Sequence, residues 1–184
     1  LEGFGQMPLI HWEATHDEEF LDVAGAPLLF ETARFWASRL TRGERHHHIR
    51  GVVGPDEYHH AVNDNAYTNW MARFNLERAV EWMTSMKVDA AHPYRELVAR
   101  LGVDDREVEG WRRAGAAMYI GFDEDLGIHA QDARFLEREP WDWDTPRDRY
   151  PLLLHFHPLV IYRHQVLKQA DVLLAIFNLP HHFT

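Results

Sequence analysis

Residues 65–86 read NAYTNWMARFNLERAVEWMTSM, and the spacing of their apolar side chains decides the fold class. Trp70, Met71, Phe74, Val80 and Met83 recur at intervals that place them on the inner side of a helix. The stretch therefore predicts a long helix over about residues 65–86.

Similar helical spacing recurs on both sides of this stretch. Residues 41–60, which contain Gly and Pro, and the aromatic, charged residues 123–150 are predicted to be irregular. No convincing strand alternation appears, so the sequence predicts an all-α domain. The further helices are predicted from Asp17 to a break at Gly25-Ala26-Pro27, from Leu28 to Leu40, from Pro93 to near Gly102, from Asp104 to Tyr119, and from Pro158 to about Asn178.

The overall composition excludes several classes of protein. The chain has 184 residues and a net charge of −10 with His neutral, so non-specific nucleic-acid binding, which needs clustered Lys and Arg, is excluded. No apolar run approaches the ~20 residues that span a bilayer. The chain has no Cys, which excludes disulfides and thiolate zinc sites and fits a reducing compartment. We therefore predict a cytoplasmic protein without membrane or nucleic-acid partners.

Residues 51–60, GVVGPDEYHH, carry the strongest signal of chemistry. Gly54 and Pro55 predict a rigid turn, and two adjacent carboxylates, Asp56 and Glu57, follow it. In a partly dry site one carboxylate raises the pKa of the other toward the working pH, as a general acid requires. A solvated acidic turn explains the same residues, so both interpretations stay open.

Two more segments have polar residues with alternative explanations. Thr68 and Asn69 could satisfy sugar hydroxyls, whereas Asn65 or Asp64 is equally expected to cap the helix that begins there. In the last predicted helix the residues are apolar on nearly every face, which is typical of a buried helix. Its Lys168 and Gln169 would then line a substrate pocket, or Lys168 would pair with Asp171.

The 14 histidines suggest a metal site only at first sight. His46-His47-His48 and His59-His60 flank the acidic loop, but consecutive His side chains point in different directions. The sequence has neither Cys ligands nor an HExxH spacing. Solvated loop histidines are the expected alternative, so no metal is predicted.

Three separated motifs resemble glycoside hydrolase family 65, which contains maltose, trehalose, kojibiose and nigerose phosphorylases and related hydrolases. The motifs are GVVGPDEYH at 51–59, NAYTN at 65–69 and KQADV at 168–172. Residues 14–21, ATHDEEFL, and 31–39, ETARFWASR, are also similar to the family. Their order and rough spacing agree from about His11 to Leu179.

The resemblance implies a fold and a set of site residues. The family fold is an (α/α)6 barrel, and the chain is expected to form about half of this toroid as a single partial catalytic domain over residues 1–184. By resemblance, Glu57 is the general acid, and Lys168 and Gln169 bind substrate in the glucosyl pocket. The further candidate substrate-binding residues are Asp56, Tyr58, Asn65, Thr68 and Asn69.

The resemblance also implies an inverting reaction. Inorganic phosphate, as co-substrate, would attack an α-linked glucose disaccharide and give β-glucose 1-phosphate and glucose, with no metal or organic cofactor. One alternative is an inverting trehalose-type hydrolase, in which a carboxylate base activates water. Another alternative is a catalytically incomplete helical fragment that only packs or binds sugar.

Two expectations concern the chain as a physical object. It begins without Met and ends soon after an apolar helix, so we expect the protein to continue at one or both ends. Half a barrel would leave apolar helix faces uncovered, and large exposed apolar patches drive association. We therefore expect a homo-oligomer, or a chain of low stability.

Overall fold

The computed structural model describes residues 7–89 and 91–183, and these are mostly helical. The α-helices are α1 (Met7–Thr15), α2 (Glu18–Phe20), α3 (Ala26–Arg39), α4 (Ala66–Asp89), α5 (Ala91–Leu101), α6 (Asp105–Ala116), α7 (Pro158–Ile161) and α8 (Asp171–Asn178). A π-helical segment spans Leu21–Gly25. The strands are β1 (Leu40–Arg42), β2 (His47–Ile49), β3 (Glu139–Pro140) and β4 (His164–Gln165).

Helices α4, α5 and α6 confirm three sequence predictions. α4 begins at Ala66, directly after Asn65, whose Oδ1 accepts a hydrogen bond from Thr68 N at 3.0 Å and so caps the helix. α6 begins after Asp104, whose carboxylate accepts from Glu107 N. Residues 123–150 are irregular, as predicted, apart from short 3₁₀ turns and β3.

The predicted break at Gly25-Ala26-Pro27 is wrong. The backbone stays helical from α2 through the π-helical segment into α3, and Gly25 has ordinary helical angles of φ −63° and ψ −57°. Pro27 is the second residue of α3 and follows the π-helical segment almost directly. The π-helical segment before it connects α2 to α3 without a break in the helical backbone.

The predicted single helix from Pro158 to Asn178 is also wrong. α7 is only one turn long, and α8 begins at Asp171. Between them β4 pairs with β3 in parallel, with Glu139 opposite His164. The backbone amides of Lys168 and Gln169 then donate to a side chain outside this segment rather than to carbonyls of a helix.

The second helix of this segment, α8, is not buried on all sides as expected. Asp171 and Ala175 are buried, whereas Leu173 is 65 % exposed and Phe177 is 80 % exposed. Apolar residues on every face of this helix therefore do not indicate full burial.

Contacts divide the chain into two compact units, and helix α4 contributes residues to each. Unit 1 comprises residues up to 47 and residues 71–118, and unit 2 comprises residues 48–70 and those from 119 onward. The assignment of both units to one catalytic domain over residues 1–184, and to half of a toroid, stays a prediction.

Unit 1 has a core built by α3, α6 and the second part of α4. Phe30 and Trp111 stack with ring centroids 5.9 Å apart, and both are almost fully buried. Asn75 donates to Thr32 Oγ1 at 2.9 Å inside this core. The Nδ2 donor of this buried amide therefore has a partner, which avoids the cost of burying an unpaired donor.

Unit 2 carries its apolar core beneath irregular backbone. Tyr58, Trp141, Leu152, Ile161 and Val166 form one buried cluster. Every predicted site residue belongs to this unit, so its packing decides how the site is held.

A buried ion pair fixes residues 132–138 of unit 2. Arg138 Nη1 lies 2.8 Å from Asp132 Oδ2 and Nη2 lies 3.0 Å from Oδ1, with side chains only 9 % and 2 % exposed. A neighbouring pair, Arg134 with Glu137, is 80 % and 63 % exposed. The two pairs differ mainly in burial.

Removal of the buried cation should therefore destabilise the protein far more than removal of the exposed one. We expect Arg138→Met to lower the free energy of unfolding by about 3–5 kcal/mol, because it leaves Asp132 buried without its partner. Arg134→Met should change it by less than about 1 kcal/mol. Urea unfolding of the two variants checks this, and equal losses would contradict it.

Candidate active site

Glu57 lies on the loop after the Gly54-Pro55 turn and meets two residues of the segment between β4 and α8. Lys168 Nζ donates to Glu57 Oε2 at 2.5 Å. Gln169 Nε2 donates to Glu57 Oε1 at 3.4 Å, and Gln169 Oε1 accepts from Glu57 N at 3.1 Å. The side chains of Glu57 and Lys168 are 54 % and 40 % exposed, so the group faces solution.

Asp56 lies beneath this group and is only 1 % exposed. Its Oδ1 accepts from the backbone amides of Tyr58, Lys168 and Gln169, at 3.0–3.2 Å. Its Oδ2 lies 2.8 Å from His59 Nδ1. One buried carboxylate thus joins the loop of Glu57 to the segment of Lys168 and Gln169.

The two adjacent carboxylates differ in what sets their pKa. Burial raises the pKa of Asp56, but hydrogen bonds from His59 and from three backbone amides outweigh burial and leave the pKa below its ordinary value. The hydrogen bond and the charge of Lys168 lower the pKa of Glu57. The expectation that the pKa of Glu57 is raised is therefore wrong for this arrangement, because Glu57 is exposed and paired with a cation.

Asn65, Thr68 and Asn69 are brought close to this region but are at most 2 % exposed. Thr68 Oγ1 donates to Asn65 Oδ1, and Asn69 Nδ2 donates to Asp64 Oδ1 and to the carbonyl of Tyr119. These side chains have protein partners, and they hold the start of α4.

Tyr58 points away from the Glu57 group. It is 6 % exposed and belongs to the apolar core of unit 2. Of the eight predicted site residues, Glu57, Lys168 and Gln169 therefore converge at the surface, whereas the other five are buried beneath them.

Lys168 and Asp171 do not form the i,i+3 ion pair that the sequence suggested as an alternative. Lys168 binds Glu57, and Asp171 Oδ2 accepts from Asn65 Nδ2 at 2.6 Å. Asp171 is fully buried at the first residue of α8, so this contact joins the beginning of α8 to the beginning of α4.

Sequence reasoning missed two residues of this region. Gln131 is 4 % exposed, accepts from Asp171 N at 3.0 Å and donates to the carbonyl of Gln169 at 3.1 Å. It sits in an irregular stretch with no pattern that marks it. His59 was expected to be a solvated loop histidine, but it is 2 % exposed and bonded to Asp56. Its spacing of three residues from Asp56 was the available signal.

A cavity of about 570 Å³ in unit 2 lies apart from the Glu57 group. Asp132, Arg138, Tyr162 and Arg163 are among its lining residues, and none of the eight predicted site residues lines it. The convergence of Glu57, Lys168 and Gln169 is the better mark of an active site, because these residues belong to the motifs that resemble the family and none of them lines this cavity.

The described residues contain neither a candidate metal centre nor a candidate membrane span. Among residues 7–89 and 91–183, no three His, Cys, Asp or Glu side chains are grouped as metal ligands. Within the same ranges, no helix has both the length and the apolar character to cross a membrane.

Comparison with known proteins agrees with the motifs of this site. The sequence profile of the glycosyl hydrolase family 65 central catalytic domain matches residues 8–184. The chain therefore belongs to glycosyl hydrolase family 65, which confirms the family resemblance.

Similar curated proteins include phosphorylases of much greater length. The chain is 45 % identical over 170 residues to an alpha,alpha-trehalose phosphorylase of Geobacillus stearothermophilus, with 92 % of this chain and 22 % of the relative covered. It is 31 % identical over 177 residues to a kojibiose phosphorylase of Halothermothrix orenii, with 95 % and 23 % covered. The chain thus spans less than a quarter of these relatives.

One solved structure supports the fold. A putative kojibiose phosphorylase from the human microbiome superposes with a TM-score of 0.83 and 24 % identity, and covers 96 % of this chain and 24 % of that one. The likeness confirms a helical fold of this kind.

Gly54 leaves room for the contact between α4 and α8, and an added methyl group should disrupt it. A Cβ at Gly54 would lie 2.5 Å from both Asn65 Nδ2 and Asp171 Oδ2, which are buried and bonded to each other. We expect Gly54→Ala to lower the free energy of unfolding by about 1–3 kcal/mol. Urea unfolding of the variant measures the loss.

Gly110→Ala is the matched control for this substitution. Gly110 lies within α6 and has open space where a Cβ would be. Alanine there should raise the free energy of unfolding by up to ~1 kcal/mol, since it favours the helix. Equal effects at the two positions would contradict the role given to Gly54.

The pKa of Glu57 should rise toward its ordinary value when Lys168 is replaced by Met, because the cation that lowers this pKa is removed. A ¹³C NMR titration of labelled glutamate measures the change. Lys87→Met, which removes the exposed partner of Asp105, is the control and should leave Glu57 unchanged. A pKa of Glu57 that stays put in Lys168→Met would show that the ion pair does not form in solution.

Proposed function

We propose that the protein carrying this chain performs inverting phosphorolysis of an α-linked glucose disaccharide and releases β-glucose 1-phosphate and glucose. Glu57 is the general acid that protonates the glycosidic oxygen. Lys168 and Gln169 bind hydroxyl groups of the glucosyl unit. The observation that carries the proposal is the convergence of Lys168 and Gln169 on the solvent-facing carboxylate of Glu57, at 2.5 Å and 3.4 Å.

The environment of Asp56 excludes this residue as the base of a hydrolase. An inverting hydrolase needs a second carboxylate that activates water. Asp56 is adjacent in sequence, but its two oxygens accept from three amides and His59, and it is 1 % exposed. Asp56 therefore has no position from which to activate water, and a hydrolase would need another carboxylate as its base.

In this proposal, substrate binding favours the protonated form of Glu57, which the general acid requires. With Lys168 as its partner, Glu57 is ionised at neutral pH, because the ion pair lowers its pKa. A sugar hydroxyl that accepts from Lys168 Nζ takes the cation away from Glu57. The pKa of Glu57 then rises toward its ordinary value, and exclusion of water by the bound sugar raises it further, so that the carboxyl group can hold the proton that it donates to the leaving sugar.

In this proposal the remaining predicted residues support the site and do not contact the substrate. Asp56, Asn65, Thr68 and Asn69 hold the loop and the start of α4, and Tyr58 anchors the loop in the core of unit 2. Inorganic phosphate is the co-substrate and no cofactor takes part. The homo-oligomer and the cytoplasmic location stay predictions.

The test uses the full-length product of the gene that encodes this chain. Trehalose, maltose and kojibiose are offered with and without phosphate, and glucose and glucose 1-phosphate are measured. Glu57→Gln should lower phosphate-dependent formation of glucose 1-phosphate by roughly 10²–10⁴-fold, since the amide has no proton to give. Glu124→Gln, which changes an exposed acid of unit 2, should retain the rate.

Three outcomes would overturn parts of this proposal. Glucose release that does not need phosphate would make the protein a hydrolase. Full activity of Glu57→Gln would remove Glu57 as the acid. No turnover of any α-linked disaccharide would favour a helical fragment that only packs or binds sugar.

A further inference from the structure

We infer that His59 is a positioning residue of this site: its bond to Asp56 locks the loop of Glu57 to the segment of Lys168 and Gln169. The inference rests on the proposed function for its catalytic meaning. Its structural content, the dependence of the Glu57 contacts on His59, can be tested without any activity.

His59 has no access to a ligand in solution. It is 2 % exposed and its ring lies between Phe135, at a centroid distance of 5.6 Å, and Tyr162, at 5.8 Å. It therefore acts through its two ring nitrogens and through packing, and not by contact with substrate.

Both ring nitrogens of His59 face acceptors. Nδ1 lies 2.8 Å from Asp56 Oδ2, and Nε2 lies 3.2 Å from the carbonyl oxygen of His164. An ionised carboxylate can only accept, so Nδ1 carries a proton and donates it to Asp56. His59 thus holds the carboxylate of Asp56 through Nδ1, and its Nε2 lies against the backbone of β4, which ends three residues before Lys168.

Asp56 passes this constraint to the surface. Its other oxygen accepts from the amides of Lys168 and Gln169, and these amides can meet it only while the carboxylate keeps its orientation. The side chains of Lys168 and Gln169 in turn contact Glu57. A chain of contacts therefore runs from His59 to Asp56, from Asp56 to the amides of Lys168 and Gln169, and from their side chains to Glu57.

Loss of the His59 donor should loosen this arrangement rather than remove a reacting group. Without it Oδ2 of Asp56 is buried with no N–H donor, and a buried carboxylate without its donors is costly. The carboxylate of Asp56 will turn toward other partners. The loop of Glu57 and the segment of Lys168 and Gln169 will then shift relative to each other. A displacement of about 1 Å at a catalytic group costs on the order of 10²-fold in rate.

The first experiment compares His59→Leu, which keeps bulk without a donor, with His59→Asn, whose side-chain amide can take the place of Nδ1. His155→Asn is the matched control, since His155 is exposed on the same unit. In the full-length gene product, His59→Leu should lower kcat by about 10–100-fold with KM changed less. His59→Asn should recover part of kcat, and the control should match the unchanged protein.

The second measurement is the pKa of Glu57 in the full-length gene product, by ¹³C NMR. The charged groups that face Glu57 are Lys168 and Asp56. If His59 sets the position of Lys168, the pKa of Glu57 should rise toward its ordinary value in His59→Leu, and less so in His59→Asn. A far-UV circular dichroism spectrum like that of the unchanged chain confirms that each variant folds.

A third variant keeps the inference falsifiable if His59→Leu does not fold. His59→Gln carries its amide one bond further from the backbone than His59→Asn, near the place of Nε2 rather than of Nδ1. The Asn variant should therefore hold the pKa of Glu57 and kcat closer to the values of the His155→Asn control. A Gln variant that preserves both quantities as well as the Asn variant does would overturn the role given to Nδ1.

The outcomes separate this inference from the proposed function. An unchanged pKa of Glu57 in a folded His59→Leu chain would overturn the inference, as would an Asn variant no better than Leu. If the unchanged protein turns over no disaccharide, the proposed function fails while the NMR result still tests His59.

Discussion

The buried carboxylate of Asp56 is the interaction on which the rest of this site depends. It sits below the surface at 1 % exposure and collects hydrogen bonds from Tyr58, His59, Lys168 and Gln169, which belong to two segments far apart in the chain. A buried charge is tolerated only when such donors surround it. The same requirement that keeps Asp56 satisfied therefore brings the loop of Glu57 and the segment before α8 together.

The two neighbouring carboxylates, Asp56 and Glu57, lie in different environments. Asp56 is buried among hydrogen-bond donors that keep its pKa low, whereas Glu57 is exposed and paired with the cation of Lys168. The pKa values of the two carboxylates are therefore set by different surroundings. The hydrogen bond from Asn65 to Asp171 also connects the beginnings of α4 and α8, and Gly54 has no side chain that would occupy this space.

Much of this could be predicted from the sequence, and the failures have physical causes. The apolar spacing of residues 65–86 and a capping residue at Asp64 or Asn65 predicted α4, because both signals are local. The segment 158–178 looked helical, but the amides of Lys168 and Gln169 bond to Asp56, a partner more than a hundred residues away that no local pattern reveals. The raised pKa expected for Glu57 failed for the same reason, since Lys168 meets it only in the folded chain. Gln131 has no sequence signal, because only tertiary contacts define its role.

The central claim is that sugar binding transfers Lys168 from Glu57 to the substrate and so prepares the acid. The most direct measurement is the pKa of Glu57 in the full-length gene product, by ¹³C NMR of labelled glutamate with and without a bound α-linked disaccharide; loss of the signal in Glu57→Gln assigns it. The account predicts that the pKa of Glu57 rises when the sugar binds, because its cationic partner is withdrawn. A pKa that stays the same or falls on binding would contradict the account.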